Sequence, residues 1–152
     1  MTCDEALAAL NVTPDLLSDQ ERDFLDAQGY LPLPGVLSDA LVRDLRQRFD
    51  ELVAEEGETA GTEVHQEAGT NRLSNLVNKG DIFEICFTHP RVLAAISHVL
   101  GSELRLSSLN GRAALPGHGL QGLHADWGTA VDPGDYYVCN SIWLLSDFTE
   151  EN

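Results

Sequence analysis

The stretch GSELRLSSLNGRAALPGHGLQGLHAD, Gly101 to Asp126, is where the chain changes texture. Before Gly101 the apolar residues recur every three or four positions. After it they alternate, or fall in short runs between glycines and prolines. LRLSSL alternates apolar and polar side chains as a half-buried strand does. GRAAL, GLHAD and YYVCNSIWLL read as further strands separated by Gly/Pro-rich turns. Near the end of the stretch, His124 and Asp126 stand two apart, and on a strand such residues point to the same face. An imidazole and a carboxylate can therefore aim at one point.

Upstream, Ser18-Asp19-Gln20-Glu21 predicts a capping box at the start of a helix running to about Gln28 and stopping at Gly29. Ser38 opens a second helix, in which Leu41, Leu45, Phe49, Leu52 and Val53 keep helical spacing, and Gly57 ends it. Residues 57–71 are polar and rich in Gly and Thr, and predict a mobile loop. In THPRVLAAISHVLG, Thr88 caps a third helix, Pro90 suits its first turn and Gly101 closes it. Helices first and short strands afterwards predict an α+β fold, with helices on one face of an antiparallel sheet. The expectation is a single domain over 1–152, with about 1–101 as a mainly helical support and about 102–152 carrying the strands and the H-x-D pair.

The 152 residues suffice for one core. Acidic residues number 25 against nine basic ones, for a formal charge of −16, and more than half of the acids lie in the first 60 positions. Such a surface repels nucleic acid and anionic membranes alike, so neither is an expected partner. Cys3, Cys86 and Cys139 form no C-x-x-C pair and predict neither a zinc knuckle nor a disulfide framework. MTCDEALAAL lacks the basic start of a signal peptide, and no apolar run approaches membrane-spanning length. Cytoplasm is the default.

H-x-D by itself has two readings: a salt-bridged surface pair, or two donors of a non-haem Fe(II) site built from two histidines and one carboxylate, which leaves one face of the ion open. The wider arrangement bears on that choice. NKGDIFEICFTHPRVLAAISHVLG, the LRLSSL strand, GLHADWG and IWLLSDFTEEN, in that order and spacing, resemble the phytanoyl-CoA dioxygenase family. The resemblance runs from about Leu17 to Asn152. HADW and the W-x-x-x-D-x-T-x-E-N ending are its most specific parts.

What the resemblance implies is an Fe(II)- and 2-oxoglutarate-dependent oxygenase acting on a small organic substrate. Its fold would be N-terminal helices packed on part of a double-stranded β-helix, a jelly roll of the cupin kind. It puts iron ligands on His124 and Asp126 and suggests that Lys79, the only lysine, helps hold 2-oxoglutarate. The alternative for Lys79 is a solvent-facing turn residue. Trp143 falls where the family has a tryptophan beside the cosubstrate, although a core tryptophan would look the same. Leu109 or Asn110 would line the same pocket. The identity of the substrate does not follow.

The family's second histidine ligand and its 2-oxoglutarate-pairing arginine come later than the residues present here. The expectation is therefore a truncated chain with little activity of its own and an unpaired strand edge open to self-association. Two other readings compete. One is a non-catalytic half-barrel that pairs its edge strand with another chain. The other is a cupin-like metal protein drawing a third ligand from His65, His89, His98 or His118.

Overall fold

The computed structural model describes residues 1–132 and 134–149. The Glu151-Asn152 end of the W-x-x-x-D-x-T-x-E-N pattern lies outside the described residues. Among those described are five α-helices, α1 (Cys3–Ala9), α2 (Asp19–Gln28), α3 (Asp39–Glu56), α4 (Ile85–Thr88) and α5 (Pro90–Leu100). One antiparallel pair of strands joins β1 (Thr70–Leu73) to β2 (Gly111–Ala114). The class is α+β. No helix among the described residues is long and apolar enough to cross a membrane.

Two compact units interleave along the chain. The first comprises Met1–Val36, Phe87–Arg105 and His124–Ile142; the second comprises Leu37–Cys86, Leu106–Leu123 and a segment beginning at Trp143.

In the first unit the expected capping box of α2 is present. Ser18 N–H donates to Glu21 Oε2 at 2.9 Å, and Glu21 N–H donates to Ser18 Oγ at 3.3 Å. Gly29 closes the helix with φ of 76°, its N–H donating to the Leu25 carbonyl at 2.8 Å. A left-handed residue here costs glycine least. The first unit buries Leu17, Leu25, Val92, Leu93 and Ala94. α5 is tied to α2 by the Arg91–Glu21 ion pair and by a hydrogen bond between His98 Nε2 and Asp26 Oδ1 at 2.7 Å. His89, rather than Thr88, is the N-cap of α5, with Pro90 in its first turn. Thr88 ends the short helix α4 instead, because Pro90 biases the residue before it away from helical geometry.

In the second unit α3 runs from its Ser38 cap to Gly57, as the spacing predicts. Leu45, Phe49 and Leu52 share one face of it and form the core with Leu73, Leu76 and Phe83. The last two residues of the expected mobile loop, Thr70 and Asn71, are strand: Thr70–Leu73 pairs with Gly111–Ala114 in the register Thr70↔Ala114 to Leu73↔Gly111. TNRL carries no period-two signal of its own. It is extended because GRAA hydrogen-bonds to it and because Leu73 is fully buried.

GRAAL supplies β2, but LRLSSL, GLHAD and YYVCNSIWLL form no ladder among the described residues. Alternation sets which faces a segment prefers, whereas a strand exists only when another supplies the complementary row of N–H and C=O groups. One such bond reaches the end of LRLSSL, where Leu76 N–H donates to the Leu109 carbonyl at 2.9 Å. Among the described residues, every buried apolar residue lies between Leu17 and Ala94, while Leu120, Leu123, Ile142 and Phe148 stand in water.

Candidate metal and cosubstrate site

His124 and Asp126 lie in the first unit. Their side chains converge, His124 Nε2 standing 3.5 Å from Asp126 Oδ1, and each remains about half exposed. Asn140 Nδ2 donates to the other carboxylate oxygen, Asp126 Oδ2, at 2.5 Å. Immediately beyond Asp126, Trp127 stacks on Tyr137 with centroids 5.4 Å apart and planes 19° from parallel. The two rings wall a depression of about 380 Å³ whose other lining includes Val131, Asp132 and Asp135.

The two donors suit a divalent ion. Bonds of about 2.1 Å to an imidazole nitrogen and a carboxylate oxygen put neighbouring donors about 3 Å apart at a right angle. The observed separation, 3.5 Å, is longer than that. An imidazole with a carboxylate is also the mixed donor set that non-haem iron takes. Among the described residues no group of three His, Cys, Asp or Glu side chains forms. No such group includes His65, His89, His98 or His118: His98 pairs with Asp26, His89 occupies the N-cap position of α5 without a side-chain capping bond, and the His118 Cβ lies against Gly69.

Lys79, Leu109, Asn110 and Trp143 lie in the second unit. Three of them gather at the turn around Asn75–Lys79. The Leu109 carbonyl accepts from Leu76 N–H, and Asn110 Oδ1 accepts from Asn75 N–H at 3.2 Å. Lys79 N–H closes the same turn onto the Leu76 carbonyl at 3.0 Å. The Lys79 ammonium is mostly buried rather than solvated and pairs with Glu56 Oε1 at 2.5 Å. A second carboxylate, Glu63, is held below its ordinary range by the Ser74 hydroxyl first and by its own backbone amide, with a smaller contribution from the Lys79 charge. Lys79 thus already serves carboxylates. Trp143 is half-buried, as is Leu145 two residues on, while Leu144 between them is exposed. That alternation is what an extended segment with one covered face produces.

Two features were not anticipated from the sequence. Asn140, a polar residue inside the apolar run YYVCNSIWLL, was the visible signal for the first. The second is a cluster in which Glu67 accepts from Arg112 Nε at 2.7 Å and from Gln121 at 2.9 Å and pairs with Arg72 at 3.3 Å. Only the strand register could have revealed it.

A family model for phytanoyl-CoA dioxygenase matches residues 25–152. The chain belongs to the phytanoyl-CoA dioxygenase family. The match takes in the turn with Lys79, the H-x-D pair and Trp143, and family membership points to oxygenase chemistry in general. No solved structure matches the chain.

Proposed function

We propose that this member of the phytanoyl-CoA dioxygenase family is an Fe(II)- and 2-oxoglutarate-dependent dioxygenase that hydroxylates a small organic substrate. The observation that carries the reading is the family match over residues 25–152 together with the convergence of His124 and Asp126 to 3.5 Å. The fold that goes with it is a jelly roll supported by the N-terminal helices.

His124 and Asp126 would hold the iron, which when bound with 2-oxoglutarate supplies the means to activate dioxygen. Lys79 would offer its ammonium to a cosubstrate carboxylate, exchanging Glu56 for it. Trp143 would wall the cosubstrate with its indole face, and Leu109 and Asn110 would line the same pocket. Trp127 and Tyr137 would seat an apolar part of the substrate, since a concave aromatic surface with a few polar groups suits a small molecule.

The test is anaerobic addition of Fe(II) and then 2-oxoglutarate, followed by succinate release on admitting oxygen. The reading expects a visible charge-transfer band that His124→Ala and Asp126→Ala abolish. Iron binding indifferent to both substitutions would sink it.

A second reading, a non-catalytic module that pairs with another chain, is favoured by the exposure of Tyr136, Ile142, Leu144 and Phe148 along one segment. It predicts concentration-dependent self-association with no consumption of 2-oxoglutarate.

A further inference from the structure

The two oxygens of Asp126 have different neighbours. Asn140 approaches Oδ2 at 2.5 Å, whereas Oδ1 is the oxygen that faces His124 Nε2 at 3.5 Å. An ionised carboxylate only accepts hydrogen bonds, so the group Asn140 turns to it is the amide NH₂. Resting on the metal reading above, we infer that Asn140 is a positioning residue that makes Asp126 a one-oxygen ligand.

The donor is delivered by more than its own side chain. Trp127 follows Asp126 directly and Tyr137 precedes Asn140 by three residues, so the Trp127–Tyr137 stack holds the two backbone segments side by side. Without Asn140, the half-exposed Asp126 side chain would keep the longer 3.5 Å approach to His124 and rotate more freely. Fixing it would then count against metal binding. With Oδ2 engaged, rotation is restrained and Oδ1 is the oxygen left for an ion shared with His124. A carboxylate bound through both oxygens would fill two positions of an octahedral ion. Binding through one leaves a position more for the cosubstrate and dioxygen. The H-x-D spacing alone provides neither the restraint nor the choice of oxygen. Partners that orient metal ligands in this way typically change metal affinity by about 10–100-fold when removed.

The test uses the full chain and Mn(II), with the free ion followed by electron paramagnetic resonance. Wild type is compared with Asn140→Leu, Asn140→Gln and Asp126→Ala, with far-ultraviolet circular dichroism as the check on folding. Asn140→Leu is expected to weaken Mn(II) binding by about 10–100-fold. Asn140→Gln, which keeps the amide on a longer arm, should recover part of that loss. A structural role alone would not give that rescue. Should the leucine variant misfold, Asn140→Ala at the same exposed position takes its place. Mn(II) binding to the leucine or alanine variant as tight as wild type, with Asp126→Ala abolishing it, overturns the role of Asn140 and leaves the metal site standing. Binding unaffected by Asp126→Ala, or none in wild type, overturns both.

Discussion

Arg72 on β1 stands directly opposite Arg112 on β2, and one carboxylate, that of Glu67, pairs with both. Like charges facing each other across a strand pair are destabilising. Glu67 offsets that repulsion at the only sheet among the described residues. Its carboxyl is held below the ordinary glutamate range by the Arg112 hydrogen bond first, then by the charges of Arg112 and Arg72. A depressed folded-state value means the contribution is whole above the ordinary value of 4.5 and is lost as pH falls through the lower, folded value. Glu67→Gln should lower the thermal midpoint by a few degrees at pH 7. The difference from wild type should shrink on titration below that window. A difference that persists unchanged into acid would refute the assignment.

Gly111 marks a packing constraint. A Cβ placed there would lie 2.4 Å from Phe49 Cε2 and 2.8 Å from Cδ2, inside the core of the second unit. The backbone at Gly111 needs no left-handed conformation, so the conflict is one of space. Gly111→Ala is expected to cost about 1–3 kcal/mol in urea unfolding. Adding Phe49→Leu should make the two costs less than additive. Strict additivity would mean the ring does not occupy that space.

Among the described residues the buried core ends at Ala94, and two leucines test the division. Leu73 is fully buried, whereas Leu123 is fully exposed. Leu73→Ala should lose about 2–5 kcal/mol. Leu123→Ala should stay within about 0.5 kcal/mol of wild type. Equal losses in denaturant melts would mean that residues around the H-x-D pair are packed in solution.

Lys79 and Glu56 predict opposite effects on cosubstrate binding. Lys79→Met removes the cation, and the 2-oxoglutarate concentration for half-saturation should rise at least about tenfold, a loss of about 1.4 kcal/mol. Glu56→Gln removes its competitor and should lower that concentration. Titration of the anaerobic charge-transfer band reads both, and a shift in the same direction for both would deny Lys79 the role.

Cys86 reports on opening of the second unit. Burial pushes its thiol up to about 11, so almost no thiolate exists at pH 8. Mass spectrometry should find Cys86 alkylated by iodoacetamide only where urea has unfolded the protein. Rapid labelling in native buffer would contradict its burial.

Among the elements, those governed by near neighbours were legible in advance. Ser18 and Glu21 bond across three positions, Gly29 ends α2 by its own backbone freedom, and Leu45, Phe49 and Leu52 share a face at helical spacing. The same kind of signal, Thr2 with Glu5, also starts α1. The strands were less legible. The loop expected over 57–71 takes in the first half of β1 because TNRL has no pattern until GRAA pairs with it, and LRLSSL has a pattern that no ladder answers among the described residues.

The candidate site divides in the same way. The sequence by itself determined that an imidazole and a carboxylate stand two apart, that one lysine follows an Asn in a tight turn, and that the whole resembles an oxygenase family. Spacing and residue type carry those features. Only tertiary structure decided that Glu56 holds Lys79 from 23 residues away and that Asn140 reaches Asp126 across 14. Pairings over such distances depend on how α3 and the turns pack, and no local rule of the chain encodes them.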